Sequence, residues 1–486
     1  MDTKKSVDTQ AVTEAQGAKD TKATGTSLDS STHKLVVAHE AFLRSGATLD
    51  IAFRRNALKK LLASIKAHEH DIAEALNKDL SKSEFEAYAT ETSIVYDELH
   101  TAIRRIAKWS RPRRVKTPLL HFRSKSHIYP EPYGTVLVMS PWNYPFQLCM
   151  VPLIGAIAAG NCVVVKPSEY SFHTSEIIEK IIRECFDESY VSVVRGGREA
   201  NQHLLDERFD YIFFTGSPVV GHVVMEAAAK HLTPITLELG GKSPCIVDST
   251  ADIAIAAKRI VWGKLLNSGQ TCIAPDYFFV HESIKDELVE EMKKAIVSYY
   301  GLDARQNPDY PCIINEKHFK RLSNLMTSEG KILCGGWSDE ASRKIAPTII
   351  DGITSESPIM QEEIFGPLMP IMTFKTLDEV YDFVLSRPKP LAMYFFSEDK
   401  KAIKRTINTL SFGGGCINDT ITHIANPNLP FGGVGNSGMG QYHGRLSFDT
   451  FTHYKSVLTK ALWPDIPLRY APFTSKNLSL LKKLMK

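Results

Sequence analysis

Ile235-Thr236-Leu237-Glu238-Leu239-Gly240-Gly241-Lys242-Ser243-Pro244 opens a stretch that closes, after a helical interval, with Asn267-Ser268-Gly269-Gln270-Thr271-Cys272. A β-branched, apolar run that ends in a carboxylate and two glycines reads as a strand stopping where the backbone must turn sharply. Glu238 is thus expected on a rigid edge rather than a mobile loop. Cys272 lies among small polar residues, where a sulfur can be reached by substrate and kept as thiolate. A nucleophile and a base bracketing one segment point to covalent catalysis with an activated water.

Working outward, continuous apolar strands alternate with helical segments. Upstream the strands are expected at 134–140, 162–166, 191–195, 211–215 and 235–239; downstream they are expected at 243–247 and 277–281, with helices at 253–266 and 284–299. This is the pattern of a parallel α/β sheet covered on both faces. Residues 303–344 read as polar and irregular, and a strand signal returns at 367–374. Ligands of such sheets bind beyond the carboxyl ends of the strands. Polar punctuation falls at those ends: Pro141-Trp142-Asn143-Tyr144, Lys166-Pro167-Ser168-Glu169, and Gly216-Ser217-Pro218-Val219-Val220-Gly221.

Residues 34–109 carry a helical period in Leu58, Leu61, Leu62, Ile65, Ile72 and Leu76. Seven basic residues between Arg104 and Lys116, with Pro112 among them, read as a solvated helix end and linker. The weakly alternating segment from His121 to Tyr133 holds Pro130 and Pro132, which suit an edge strand or an arm. Residues 1–33 are polar, without the apolar core of a signal peptide, and read as a disordered tail. The nearly apolar run Leu148 to Val165 is broken by Pro152, Gly155, Gly160 and Asn161, so a buried helix entering a strand is expected, not a membrane span. At the far end Leu478, Leu481 and Met485 share a stripe flanked by Lys476, Lys482, Lys483 and Lys486; this suits a membrane surface or a helix docked on the protein itself.

With 58 basic against 55 acidic residues the formal charge is +3, too balanced for nucleic acid as the main partner. Eight irregularly spaced cysteines with no CxxC pair imply neither a disulfide framework nor a metal, and fit a reducing cytosol.

Gly433-Val434-Gly435-Asn436-Ser437-Gly438 has the spacing of a dinucleotide fingerprint, but Asn426-Pro427-Asn428-Leu429-Pro430 precedes it where a strand is required. It reads as a glycine-rich loop near the cleft. Thr215 to Gly221, by contrast, follows the strand Tyr211-Ile212-Phe213-Phe214 and opens a helix, whose N-terminal amides can receive phosphate. Lys166 and Glu169 offer an ammonium and a carboxylate for a ribose, or form an ordinary surface pair. Glu238 has a structural alternative as well, an ion pair with Lys242. Asn143 is an amide donor at a strand end, able to hold a developing oxyanion.

These motifs together resemble an aldehyde dehydrogenase across about residues 36–455: Pro141 to Pro145, Lys166 to Glu169, Phe214 to Gly221, Leu237 to Lys242, Gly269 to Cys272, Glu362-Glu363-Ile364-Phe365-Gly366-Pro367, and Pro430-Phe431-Gly432-Gly433. Tyr144-Pro145, Gly216 to Gly221 and Ala274-Pro275-Asp276-Tyr277 look like the class 3, fatty-aldehyde branch. The resemblance implies a Rossmann-type NAD(P)-binding domain (34–117 and 134–239), an α/β catalytic domain (240–439), a small oligomerisation arm (118–133 and 440–455) and a C-terminal extension (456–486). It implies a homodimer, NAD favoured over NADP, cytoplasmic placement, at most peripheral membrane contact, and oxidation of a long-chain, terpenoid-derived or aromatic aldehyde.

By the same resemblance Cys272 attacks the aldehyde, Asn143 and the Cys272 N–H hold the oxyanion, and Glu238 activates water against the thioester. Trp142, Lys166, Glu169, Gly216, Ser217, Gly221, Leu239, Glu363 and Phe365 would contact the cofactor. A CoA-acylating relative would do without Glu238; a non-catalytic protein on the same fold would not require Cys272, Asn143 and Glu238 together; a thioesterase would leave the strand-end motifs unexplained.

Overall fold

The computed structural model describes residues 25–118, 121–465 and 467–484. Two parallel sheets dominate it. The first holds β3 (Thr135–Met139), β4 (Cys162–Lys166), β5 (Val191–Val193), β6 (Tyr211–Gly216) and β7 (Ile235–Leu239), in the order β7-β6-β3-β4-β5. All pairings among these five are parallel. β3 and β4 are buried at every residue, as the run of Val, Leu and Cys requires of strands covered on both faces. The chain reverses direction across the sheet between β3 and β6, which places a crevice at their carboxyl ends.

The second sheet runs β10-β13-β14-β9-β8-β15-β16. Its strands are β8 (Pro244–Val247), β9 (Tyr277–His281), β10 (Lys331–Cys334), β13 (Thr348–Asp351), β14 (Leu368–Phe374), β15 (Ala392–Phe396) and β16 (Gly414–Ile417). Only β10 is antiparallel to its neighbour. The two short strands β11 (Ser338–Asp339) and β12 (Lys344–Ile345) pair beside it. A further short strand, β17 (Gly438–Met439), returns to the first sheet antiparallel to β7, setting Gly438 opposite Glu238. Gly438 lies at φ +138°, and a Cβ there would fall 2.1 Å from the Leu237 carbonyl oxygen, so only glycine allows this approach. The glycine-rich loop thus borders the crevice, as its context in the sequence suggested.

A third sheet stands apart: β1 (Arg113–Val115), β2 (Ser124–Pro132) and β18 (Thr452–Lys460), all antiparallel. β2 is its central strand rather than an edge. The prolines are tolerated because β1 covers only Ser126 to Ile128, leaving Pro130 and Pro132 paired on the β18 side alone. The basic segment read as a linker supplies β1 itself, and β18 continues to Lys460 within the expected extension.

Two further expectations are corrected. A helix runs from Gly25 to Arg44, so residues 25–33 of the expected tail are helical; they continue a helix anchored on the first sheet by the buried Val36 and His39. The rest of that tail, residues 1–24, lies outside the described residues. The irregular segment 303–344 contains a helix, Glu316–Met326, started by the Asn315 side chain accepting the His318 N–H and buried through Phe319, Leu322 and Met326. Its few apolar residues at helical spacing are hidden in a polar composition. No helix among the described residues is long and apolar enough to cross a membrane.

Candidate active site

Glu238 ends β7, 3 % exposed, between Thr215 of β6 and Gly438 of β17. Neither carboxyl oxygen has a hydrogen-bond partner among the described residues, and burial holds its pKa well above the ordinary carboxylate value. The ion pair with Lys242 does not form: the Lys242 ammonium is taken by Asp276 and by the carbonyls of Ile359 and Glu362. An unpartnered carboxyl is costly to bury and marks a group reserved for chemistry.

Cys272 sits at the end of a strained turn. Asn267 and Ser268 both lie at φ +52° and Gly269 at φ +75°, a conformation that costs roughly 1–2 kcal/mol per non-glycine residue. A Cβ on Gly269 would fall 2.3 Å from the Gly366 carbonyl oxygen. The turn is held by hydrogen bonds from its side chains, although Asn267 Oδ1 stays buried without a partner among the described residues. The Asn267 side chain donates to the carbonyls of Asn143 (2.8 Å) and Gln270 (3.1 Å), while the Gln270 side chain donates to Cys312 (3.0 Å) and accepts from the Ile314 N–H (3.0 Å). Tyr144 and Thr271 share a hydrogen bond between hydroxyls, 2.7 Å long.

Asn143, 3 % exposed, donates through Nδ2 to the Gln270 carbonyl (3.0 Å), which places its amide two residues from the thiol. An amide nitrogen carries two N–H groups, so a second donor remains. Cys272 and Glu238 line one cavity of about 590 Å³, whose wall is predominantly apolar and includes Trp262, Tyr299, Phe431 and Tyr442.

The expectation of a resting thiolate is corrected. Burial, then the carboxyl groups of Glu363 and Glu238, push the Cys272 thiol up to about 12, against a smaller pull from the backbone N–H groups of Cys272 and Ile273. The small polar residues before Cys272 turn into the protein to hold the loop, and do not solvate the sulfur. Burial and Asp276 likewise push the Glu363 carboxyl up to about 8.

The remaining site residues occupy the crevice end of the first sheet. Glu363 reaches the turn after β7: a Cβ on Gly240 would fall 2.1 Å from its Oε2. Phe365 adopts φ +52°, and its ring meets Trp142 edge-on at 5.3 Å. Lys166 is buried at the end of β4, donating to the Pro167 carbonyl (2.9 Å), and burial brings its pKa down to about 8, with Glu169 opposing. Glu169 is exposed and lies against Gly197, where a Cβ would fall 2.0 Å from its carboxylate. Ser217 accepts the Val220 N–H (3.4 Å) and starts the helix Pro218–Ala229. Gly221 lets that helix approach β7, since a Cβ there would meet the Leu239 side chain at 2.7 Å; Gly216 ends β6.

Sequence reading missed a second tier of residues. The Lys82 ammonium is fully buried 2.6 Å from Glu91 Oε1, donates to the Asn143 carbonyl (3.2 Å) and lies 3.9 Å from the centre of the Tyr144 ring. Glu91 Oε2 accepts the N–H groups of Phe146 and Gln147, and Glu86 accepts the Asn267 N–H at 2.7 Å. Nothing local in the sequence reveals these partners, which lie 55 to 181 positions away.

Because the thiol is protonated at neutral pH, its alkylation should follow the thiolate fraction and quicken about tenfold per pH unit from pH 8 to pH 10. Replacing Glu363 by Gln removes one opposing charge and should speed alkylation of Cys272 at fixed pH. Peptide mass spectrometry after timed exposure to iodoacetamide measures both; a rate already flat above pH 7 would contradict this electrostatic account.

The aldehyde dehydrogenase family profile matches residues 6–457. The chain is 52 % identical over 438 residues to 4,4'-diaponeurosporen-aldehyde dehydrogenase of Staphylococcus aureus, covering 90 % of this chain and 95 % of that one. It is 47 % identical over 441 residues to the dimeric NADP-preferring aldehyde dehydrogenase of Rattus norvegicus, covering 90 % and 97 %. A solved structure of Staphylococcus aureus AldH in a substrate-bound state superposes with a TM-score of 0.92 at 50 % identity, covering 93 % of this chain and 99 % of that one. The chain belongs to the aldehyde dehydrogenase family, whose members oxidise aldehydes to carboxylic acids with NAD or NADP.

Proposed function

We propose that Cys272, Glu238 and Asn143 carry this oxidation and that its substrate is a long, apolar aldehyde. The observation behind this is the shared cavity: thiol and unpartnered carboxyl on one wall, and the Asn143 amide bound two residues from the thiol. The Cys272 thiol gives its proton to solvent water, and its sulfur bonds to the aldehyde carbon. The carbonyl oxygen becomes an oxyanion, held by the free Asn143 N–H and the Cys272 backbone N–H; one such donor is worth about 3 kcal/mol of barrier. NAD(P)+ held at the strand ends would supply the acceptor for the hydride that this carbon must lose, with Glu363, Phe365 and Trp142 at its nicotinamide end. The carbon, oxidised by two electrons, is left as a thioester on Cys272. Glu238 in its ionised form takes a proton from water, whose oxygen adds to the thioester carbon; the thiolate leaves and the carboxylic acid is released. A base beside the thioester favours water over CoA as acceptor.

The residues at the crevice suit the cofactor. Gly197 leaves room for the Glu169 carboxylate, Lys166 brings a buried amine to the same strand end, and the helix after Ser217 presents its N-terminus with the Val219 N–H uncapped among the described residues. Glu169 and Lys166 would hold the adenosine ribose, Gly216, Ser217 and Gly221 the pyrophosphate with Leu239 beside it, and Glu363, Phe365 and Trp142 the nicotinamide end. The exposed Glu169 carboxylate favours a free ribose 2′-hydroxyl, hence NAD.

The apolar cavity supports a long-chain, terpenoid-derived or aromatic substrate; the Staphylococcus aureus relative is named for a terpenoid aldehyde. The sheet β1-β2-β18 exposes Tyr454, Val457 and Leu458, with Leu462 and Trp463 beyond it, which supports its reading as an oligomerisation arm of a homodimer; the rat relative is named as dimeric. The helix Ser475–Leu484 exposes Leu478, Leu480 and three lysines, enough for peripheral contact with a membrane at most. Eight free cysteines fit the cytoplasm.

Cys272→Ala should lower turnover of decanal at least 10³-fold. Glu238→Gln should give a burst of about one reduced nucleotide per site and then stall, read as absorbance in a stopped-flow trace; undiminished turnover by either variant contradicts the assignment. Glu169→Gln should raise the ratio of kcat/KM with NADP to that with NAD about tenfold, and an unchanged ratio contradicts the placement of the ribose.

A further inference from the structure

Glu86 is the one carboxyl on the cavity wall that the oxidation does not use and that touches the loop bearing the nucleophile. It belongs to the short helix Glu84–Ala87, started by the Ser83 side chain, and a π turn, Tyr88–Thr92, follows at once. Such turns widen a helix and recur at functional sites. Here the insertion lets Glu86 and Glu91, five residues apart, work on two different loops: Glu91 on the start of the helix Gln147–Ala159, Glu86 on Asn267. Glu86 is 6 % exposed, and its Oε1 accepts the Asn267 N–H at 2.7 Å. That N–H opens the left-handed turn Asn267–Gly269, whose other anchors include the Asn267 and Gln270 side-chain amides and the Ser268 hydroxyl on the Pro311 carbonyl.

We propose that Glu86 is a positioning residue of the oxidation: its carboxylate, through the Asn267 N–H, holds the strained turn that aims Cys272, and loosens it on protonation. The inference rests on the reading of Cys272 as nucleophile. A hydrogen bond to an ionised acceptor is roughly twice as strong as one to a neutral acceptor, so the two protonation states hold the turn unequally. The charged and titratable groups facing Glu86 are Lys82 and Glu91 from its own segment, Asp309 from the loop across the cavity mouth, and the hydroxyls of Tyr144 and Tyr300. Burial pushes the Glu86 carboxyl up to about 7; Lys82 and the Asn267 N–H oppose it, and Glu91 and Asp309 add to it. The turn is therefore held firmly above about pH 7 and weakly below it.

Glu86→Gln keeps the shape and a neutral acceptor. Its kcat should fall about tenfold below wild type at pH 8.5, and the gap should narrow to under threefold at pH 6, with KM for decanal changed less than twofold. A constant deficit at all pH values, or no deficit, overturns the proposal, because a purely structural contact carries no proton. Should the variant not fold, the wild-type protein alone decides. Protection of the Asn267 amide against hydrogen exchange, corrected for intrinsic rates, should rise between pH 6 and pH 8, and flat protection overturns the proposal. Full turnover by Cys272→Ala would instead sink the underlying reading, so the two failures are distinguishable.

Discussion

The buried pair of Lys82 and Glu91 is the contact on which the site's geometry depends. Its attachments join two segments far apart in sequence, residues 82–91 and residues 143–147: the Asn143 carbonyl, the ring of Tyr144, and the N–H groups that start the helix Gln147–Ala159. Phe146 and Gln147 have N–H groups that no local side chain caps, and Glu91 supplies both acceptors from across the fold. Such a pair adds little net stability, because removing two charges from water costs about what their attraction returns. Its contribution is positional. It fixes the backbone of Asn143, and through the Asn267 side chain on the same carbonyl it fixes the turn before Cys272.

Around that frame the site is built to keep its reactive groups neutral. Glu238 has no hydrogen-bond partner among the described residues, Glu363 is crowded against Gly240, and Cys272 looks onto both carboxyls from a mostly apolar cavity. Burial raises the pKa of Glu238, Glu363 and Cys272 alike. The strain at Asn267, Ser268 and Phe365 is concentrated at the same place, where the surrounding hydrogen bonds override local preference.

Much of this was legible in the sequence because the strands are continuous apolar runs that end in polar punctuation. Glu238 near the end of β7, Asn143 after β3 and Gly216 at the end of β6 could be placed at one crevice from periodicity alone, and the family resemblance gave them roles. Three things were not legible. The helix Glu316–Met326 buries only three residues in a polar segment, so its period was too faint. The central place of β2 depended on how far β1 extends, which no local pattern encodes. The charged tier of Lys82, Glu86 and Glu91 carried no local signal, since its partners lie in other loops. The protonated state of Cys272 followed from the same blindness: Ser268, Gln270 and Thr271 are polar in sequence, yet their polar groups are spent on holding the turn.

The central claim is that carbon is passed from aldehyde to acid through a bond to Cys272 and released by Glu238. It is tested most directly by acid-quenching Glu238→Gln during reaction with decanal and NAD, then weighing the intact protein and its peptides. The account predicts one decanoyl group per chain, on the peptide containing Cys272 and absent when NAD is omitted. An unmodified chain after a full burst of reduced nucleotide, or an acyl group on another residue, would contradict it.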